Sequence, residues 1–171
     1  ADAITVHPYL GSAALQPFLA RADKGIFVLC RTSNPGADEF QDLQVVTSFS
    51  RTTSRSYTVP LYRVVARRVA NNWNTNGNCG LVVGATYPAE LREVRKEVGD
   101  MPILIPGIGA QGGDLEGTVF AGKDSRKRGM IINSSRGIIF ASDGPDFAEA
   151  ARRETEKLHN AIERYREGGA Q

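Results

Sequence analysis

The chain is poor in the side chains that most often hold metals or form disulfides. Its 171 residues include two cysteines and two histidines, which lie far apart in the sequence. No recognised metal-ligand spacing can be assembled from them, so we expect no metal site. Cys30 and Cys79 each lie in or beside an apolar run, which predicts reduced, buried thiols.

The chain also lacks a dominant charge and a long apolar run. Lys and Arg number 21 against 19 for Asp and Glu, a net charge of +2. This balance argues against a dedicated nucleic-acid protein. No run approaches the roughly 20 apolar residues of a membrane span, and the first residues show no basic-then-apolar leader. We therefore expect no nucleic-acid or membrane partner, a cytoplasmic location and a single domain over residues 1–171.

Apolar runs alternate with amphipathic helical segments throughout the sequence. Five short strands are predicted, each followed by a helical segment, and polar loops follow the strands. This order predicts a parallel sheet covered by helices, either a doubly wound open sheet or a (β/α)₈ barrel. The predicted strands start near residues 3, 26, 80, 103 and 130.

A glycine-rich loop follows the fourth of these strands. Residues 103–114 read Ile-Leu-Ile-Pro-Gly-Ile-Gly-Ala-Gln-Gly-Gly-Asp, with four glycines in the seven residues 107–113. Glycine lets main-chain N–H groups approach an anion closely. A further strand, read over 130–137, ends on Arg136, whose guanidinium suits the same phosphate. The two segments together predict a phosphate site.

Phosphate capture at the ends of the last two strands favours the barrel, where such sites recur. Five βα units cannot close a ring of eight. We therefore predict an α/β fold, a (β/α)₈ TIM barrel of which this chain holds only the last five units. Residues 44–58, rich in Ser, Thr and Arg, are either a lid over the site or a solvated insertion.

Five motifs, in this order and spacing, resemble the orotidine 5′-phosphate decarboxylase family, in the branch with Thr-Ser-Asn-Pro after its fifth strand. The resemblance covers nearly the whole chain except residues 44–58 and corresponds to strands 4–8 of the barrel. The motifs are the residues at 2–11, 31–36, 80–85, 105–114 and 135–137.

This resemblance implies a cofactor-free enzyme that converts orotidine 5′-monophosphate (OMP) to uridine 5′-monophosphate (UMP) and CO₂, the last step of de novo pyrimidine synthesis. It also implies a homodimer with sites near the subunit interface. By position, the substrate-binding residues are Thr32, Ser33, Pro106, Gln111 and Arg136. The main-chain phosphate cradle is expected at Gly109, Ala110, Gly112, Gly113 and Ser135.

The family's reacting groups come from an Asp-x-Lys-x-x-Asp motif, and this motif is missing here. None of the nine aspartates has a lysine two residues later. We therefore assign no catalytic residue and predict that the chain carries the pyrimidine- and phosphate-binding half of the site and is inactive by itself. An open five-stranded sheet has two unpaired edges, so we also predict that the chain needs a missing N-terminal part of the barrel.

Two alternatives remain open from the sequence. One is a phosphosugar enzyme of the same barrel group, such as a hexulose-phosphate synthase or a keto-gulonate-phosphate decarboxylase. These enzymes lack the combination of Thr-Ser-Asn-Pro at 32–35 with Gln111. The other is a non-catalytic nucleotide- or phosphate-binding module made by truncation.

Overall fold

The structure, a computed structural model, describes residues 1–47, 56–109 and 113–168. Within these residues, seven strands form two sheets. The strands are β1 Ala3–Val6, β2 Gly25–Arg31, β3 Gln44–Thr47, β4 Tyr57–Pro60, β5 Cys79–Val83, β6 Ile103–Pro106 and β7 Met130–Asn133. The larger sheet is parallel with the order β1-β2-β5-β6-β7, and β3 and β4 form an antiparallel hairpin.

Helices connect the strands of the parallel sheet. They are α1 Gly11–Leu19, α2 Asp38–Gln41, α3 Leu61–Arg68 with a π-helical turn over Val69–Trp73, α4 Pro88–Val98, α5 Leu115–Gly122, α6 Ser135–Ile139 and α7 Phe147–Arg166. Among the described residues, no helix combines the length and apolar character needed to cross a membrane. The predicted alternation of strands and helices around a parallel sheet is confirmed.

One face of the sheet forms the hydrophobic core with the helices. Strand residues such as Val28, Leu81 and Ile105 are fully buried there, because apolar side chains of α1, α3, α4 and α5 pack on them. Cys30 and Cys79 belong to this core and form no disulfide, which confirms the prediction of buried thiols. Burial raises the pKa of the Cys30 thiol to about 12, so the group stays protonated.

The opposite face of the sheet is more open. Its side chains alternate with the core residues, and they include Phe27 and Leu29 on β2 and the half-exposed Ile131 on β7. Gly80 on β5 lies beside Phe27, and a Cβ atom at position 80 would come within 2.6 Å of the Phe27 ring. The missing side chain of Gly80 therefore makes room for the aromatic ring.

Arg95 stabilises the amino-terminal end of the sheet through hydrogen bonds to the main chain. Its side chain is buried and donates hydrogen bonds to four main-chain oxygens, those of Gly99, Met101, Gly122 and Gly129. Met101 lies just before β6, and Gly129 directly precedes β7. Burial lowers the pKa of the Arg95 guanidinium. One side chain thus joins the ends of α4 and α5 to the starts of two strands.

One sequence prediction needs correction, and another stays open. The strand read over residues 130–137 ends at Asn133, and Arg136 lies in the short helix α6 because the chain turns at Ser134. The segment 44–58 contains a hairpin stem in which Gln44 pairs with Pro60 and Thr47 with Tyr57. The part of this segment at 48–55 lies outside the described residues, and the choice between lid and insertion stays open.

Candidate functional site

The sequence-predicted site residues that the structure describes lie along one edge of the parallel sheet. Parallel strands bring their carboxyl ends to the same edge, so the loops after β2, β5, β6 and β7 are neighbours. Ser33 follows β2, Gly109 and Gly113 follow β6, and Ser135 and Arg136 follow β7. Three further predicted residues, Ala110, Gln111 and Gly112, lie outside the described residues.

The loop after β6 has a backbone that only glycine adopts readily. Gly107 and Gly109 have φ angles of 107° and 85°. The Gly113 N–H donates to the Gly107 oxygen at 3.3 Å. A Cβ atom on Gly113 would lie 2.7 Å from that oxygen and 2.9 Å from the Ala85 Cβ. Backbone therefore packs on backbone here, and a side chain at position 113 has no room.

The loop after β7 packs against the glycine loop. The Ser134 hydroxyl donates to the Ile108 oxygen at 3.0 Å. Between the two loops lies a pocket of about 220 Å³, lined by residues 106–108 and 133–136. Pro106 and Arg136 are both part of this lining. The predicted partners of a phosphate and of a base wall thus share one pocket.

Arg136 supplies an uncompensated positive charge to this pocket. Its side chain is exposed, and among the described residues no carboxylate lies within ion-pair distance of it. Other arginines of the chain, such as Arg31 and Arg63, do have carboxylate partners. An exposed guanidinium beside a glycine-rich loop is suited to an anion such as a phosphate.

The loop after β2 is held by side chains rather than by glycines. The Thr32 N–H donates to Gln41 Oε1 at 2.8 Å, and Gln41 Nε2 donates to the Thr32 hydroxyl oxygen at 2.9 Å. Arg31 is buried and lies in an ion pair with Asp42. Ser33 lies against Gly84, where an added Cβ would come within 2.6 Å of the Ser33 Cβ. The sequence analysis did not predict these contacts, which support the loop after β2.

A signal for one of these supports was present in the sequence. Arg31 directly continues the apolar run of β2, and a charge in that position is buried only with a partner. Its partner Asp42 is eleven residues away, and nothing in the spacing identifies it. Within the described residues, no group of three or more His, Cys, Asp or Glu side chains is placed to hold a metal ion.

Comparison with known proteins assigns the family. A profile of the "Orotidine 5′-phosphate decarboxylase / HUMPS family" matches residues 1–153, which is most of the chain. The chain belongs to the orotidine 5′-phosphate decarboxylase / HUMPS family. The resemblance seen in the sequence motifs is confirmed.

Relatives named orotidine 5′-phosphate decarboxylase are identical to this chain at about half of the aligned positions. That of Cupriavidus metallidurans is 54% identical over 168 residues, and that of Ralstonia pickettii is 53% identical over 166. The alignments cover 98% and 97% of this chain but 58% and 57% of the relatives. The chain thus spans a little over half the length of these decarboxylases.

Solved structures of the same family have a similar fold. Leishmania donovani UMP synthase superposes with a TM-score of 0.81 at 42% identity, covering 100% of this chain and 34% of that protein. The Leishmania donovani OMP decarboxylase gives a TM-score of 0.73 at 42% identity, covering 95% and 57%. The predicted fold, a partial (β/α)₈ barrel, is confirmed.

Proposed function

We propose that this chain forms the pyrimidine- and phosphate-binding part of an OMP decarboxylase, which converts OMP to UMP and CO₂. The observation that carries the proposal is the pocket between residues 106–108 and 133–136, where Arg136 lies beside a glycine loop and has no carboxylate partner among the residues that the structure describes. Identity above 50% to proteins named as decarboxylases supports this reading over the phosphosugar enzymes.

In this proposal the phosphate lies between the last two loops. The Arg136 guanidinium donates to it, and main-chain N–H groups of Gly109 and Ser135 complete the cradle with Ala110 and Gly112. The expected donor Gly113 drops out of the cradle, because its N–H donates to the Gly107 oxygen. Gln111, expected to bridge base and phosphate, belongs to the same set. Its assignment, like those of Ala110 and Gly112, rests on sequence position alone.

The pyrimidine base lies toward the middle of the sheet edge. Pro106 forms one wall, and Ser33 hydrogen-bonds the amide edge of the base. Three strand spacings separate β2 from β7, roughly 10–15 Å in all. A nucleotide would therefore extend along the edge from the Ser33 loop to Arg136. Thr32 supports Ser33 in this assignment, since its own polar groups are bonded to protein.

Decarboxylation requires groups that these 171 residues do not include. Loss of CO₂ builds negative charge on C6 of the pyrimidine, which a nearby cation must stabilise. In the family this cation belongs to the Asp-x-Lys-x-x-Asp motif, and no aspartate of the chain precedes a lysine at that spacing. We therefore propose that the chain binds the nucleotide and that a segment carrying the motif performs the chemistry.

The proposal extends to how the chain assembles into a complete barrel and a dimer, and to its location in the cell. The open sheet face with Phe27, Leu29 and Ile131 is suited to the remaining strands of a barrel, and a homodimer is expected from the family resemblance. Residues 1–171 then form one domain with them. Buried, reduced thiols at Cys30 and Cys79 agree with the reducing conditions of the cytoplasm.

The test measures ligand binding and turnover separately. Calorimetry on the full chain should show tighter binding of UMP than of ribose 5-phosphate. CO₂ release from OMP should be absent until the part of the Ralstonia pickettii relative left uncovered by the alignment is added. Binding of sugar phosphates with no preference for UMP would overturn the nucleotide assignment. CO₂ release by the 171 residues alone would contradict the division of the site.

A further inference from the structure

All the polar groups of Thr32 are bonded to other parts of the protein. Its N–H donates to Gln41 Oε1 at 2.8 Å, and its hydroxyl accepts from Gln41 Nε2 at 2.9 Å and donates to Asn34 Oδ1 at 2.6 Å. Its carbonyl oxygen accepts from Arg31 Nη1 at 3.0 Å. Backbone and side chain of Thr32 are thus fixed together, which leaves little freedom to the residue that follows.

Arg31 is itself held from three directions. Its side chain is 2% exposed. Nη2 donates to Asp42 Oδ2 at 2.9 Å, and Nε lies 2.9 Å from Asp42 Oδ1. The ring of Tyr87 lies 4.0 Å from the guanidinium carbon, within the range of a cation–π contact. Together with the Thr32 oxygen that accepts from Nη1, one carboxylate and one ring thus hold the guanidinium in one orientation.

The two residues that hold Thr32 and Arg31 are neighbours in the sequence. Gln41 ends α2, and Asp42 follows it directly. The chain then enters the hairpin, where Gln44 pairs with Pro60 and the Leu61 N–H donates to the Leu43 oxygen at 2.9 Å. The supports of the loop are therefore anchored in secondary structure and not in another loop.

Ser33 lies between this support and the end of β5. Gly84 N donates to the Arg31 oxygen at 2.8 Å, and the Gly84 Cα packs on Ser33 so closely that a Cβ atom would be 2.6 Å from the Ser33 Cβ. Thr32 fixes Ser33 from one side and Gly84 from the other. Hydrogen-bond strength falls steeply with distance and angle, so such a residue recognises one ligand geometry.

We propose that Arg31 and Gln41, with Asp42 as their anchor, are positioning residues that hold Ser33 for recognition of the pyrimidine. This inference rests on the proposed function. It adds to that function by assigning recognition of the base and recognition of the phosphate to different positions along the sheet edge. The support at β2 controls affinity for the base, whereas Arg136, three strand spacings away, controls affinity for the phosphate.

The test compares affinities for UMP and for ribose 5-phosphate in the full chain by calorimetry. In Gln41→Leu and Arg31→Lys, the Kd for UMP should rise about tenfold, as expected for one impaired hydrogen bond, with the Kd for ribose 5-phosphate within about twofold of the original. Gln16→Leu, a change at an exposed glutamine of α1, is the matched control and should alter neither value.

A double-mutant cycle with Ser33→Ala tests whether the effect passes through Ser33. If it does, Gln41→Leu should change UMP affinity little in the Ser33→Ala background. A parallel loss of affinity for both ligands, or additive effects in the cycle, would overturn the inference in favour of a general structural role. A parent chain that binds UMP no better than ribose 5-phosphate would overturn the proposed function itself, and the inference with it.

Discussion

The two ends of the parallel sheet each contain a buried arginine, and the two arginines have different partners. At the amino end, Arg95 donates to four main-chain oxygens, and among the described residues no carboxylate forms an ion pair with it. At the carboxyl end, Arg31 binds one main-chain oxygen and the carboxylate of Asp42, which is 38% exposed.

The different partners of the two arginines indicate different roles for the two ends of the sheet, stability at the amino end and ligand binding at the carboxyl end. The bonds of Arg95 join secondary-structure ends to one another, which is typical of the stabilising face of a barrel. The bonds of Arg31 and Gln41 orient a loop whose next residue faces the proposed ligand. Arg136, also at the carboxyl end, has no carboxylate partner among the described residues. Changes at the amino end should therefore alter folding, and changes at the carboxyl end should alter affinity.

The largest effect is expected for Arg95→Met. The change leaves up to four buried carbonyl oxygens without a donor, which should lower the free energy of unfolding by about 3–5 kcal/mol. Urea denaturation would measure the loss. Arg92→Met, at an exposed position of the same helix, is the control and should cost less than about 0.5 kcal/mol. Similar unfolding free energies for the two variants would contradict the structural role assigned to Arg95.

The next largest effect is expected for Arg136→Gln, on affinity. Loss of the charged donor should weaken the binding of both UMP and ribose 5-phosphate about 30- to 100-fold, with little change in stability. Arg128→Gln changes an exposed arginine just before β7, at the opposite end of the same strand. Calorimetry should show unchanged affinity for this control. Equal affinities of the two variants would exclude Arg136 as the phosphate ligand.

A smaller effect is expected for Gly84→Ala. The new methyl group overlaps Ser33, so we expect a loss of about 1–3 kcal/mol in stability and a selective loss of UMP affinity. Gly25→Ala, at the amino end of β2, brings a methyl group 3.1 Å from the Ala3 Cβ and serves as control. It should lower stability less and leave the ratio of UMP to ribose 5-phosphate affinity unchanged. A changed ratio in Gly25→Ala would contradict the separation of the two ends.

The smallest effect is expected from Glu97, which pairs with Arg63 and Arg67 between α4 and α3. Burial acts to raise the pKa of Glu97, but hydrogen bonds from Arg67 and Arg63 outweigh it, and the pKa lies below its ordinary value of 4.5. The pair therefore stabilises the fold above pH 4.5, and this contribution is lost as the pH falls through the lowered pKa.

Urea denaturation of the original chain and of Glu97→Gln would measure this contribution. The difference in unfolding free energy should be at most about 1 kcal/mol near neutral pH and should shrink on acidification. A difference that grows as the pH falls would contradict the assigned pKa direction.

The sequence predicted the parallel sheet because local patterns encode it. The apolar runs of β2 and β6 and the amphipathic pattern of α4, found over Pro88–Val98, need no knowledge of distant partners. The hairpin stem at 44–47 and 57–60 was not predicted, because its segments are only four residues long and pair only with each other. Short strands of this kind carry a weak signal.

The candidate site was predictable only in part, for a related reason. Glycines at 107, 109 and 113 and Arg136 are recognisable because their chemistry is local. The role of Arg31 depends on Asp42 and Tyr87, and that of Arg95 depends on oxygens as far away as Gly129. Spacing in the sequence does not show which distant groups meet a buried guanidinium.

The close packing of Phe27 on Gly80 restricts which residues these two positions can carry in evolution. The two residues pair across β2 and β5, and the ring occupies the space that a side chain at position 80 would need. The ring and a side chain at position 80 would therefore overlap, so the two positions cannot both carry large side chains. A Cβ atom at position 80 would also lie 2.8 Å from the main-chain oxygen of Pro102, so a smaller residue at 27 does not by itself make room for a side chain there. Among homologous sequences, position 80 should therefore remain glycine.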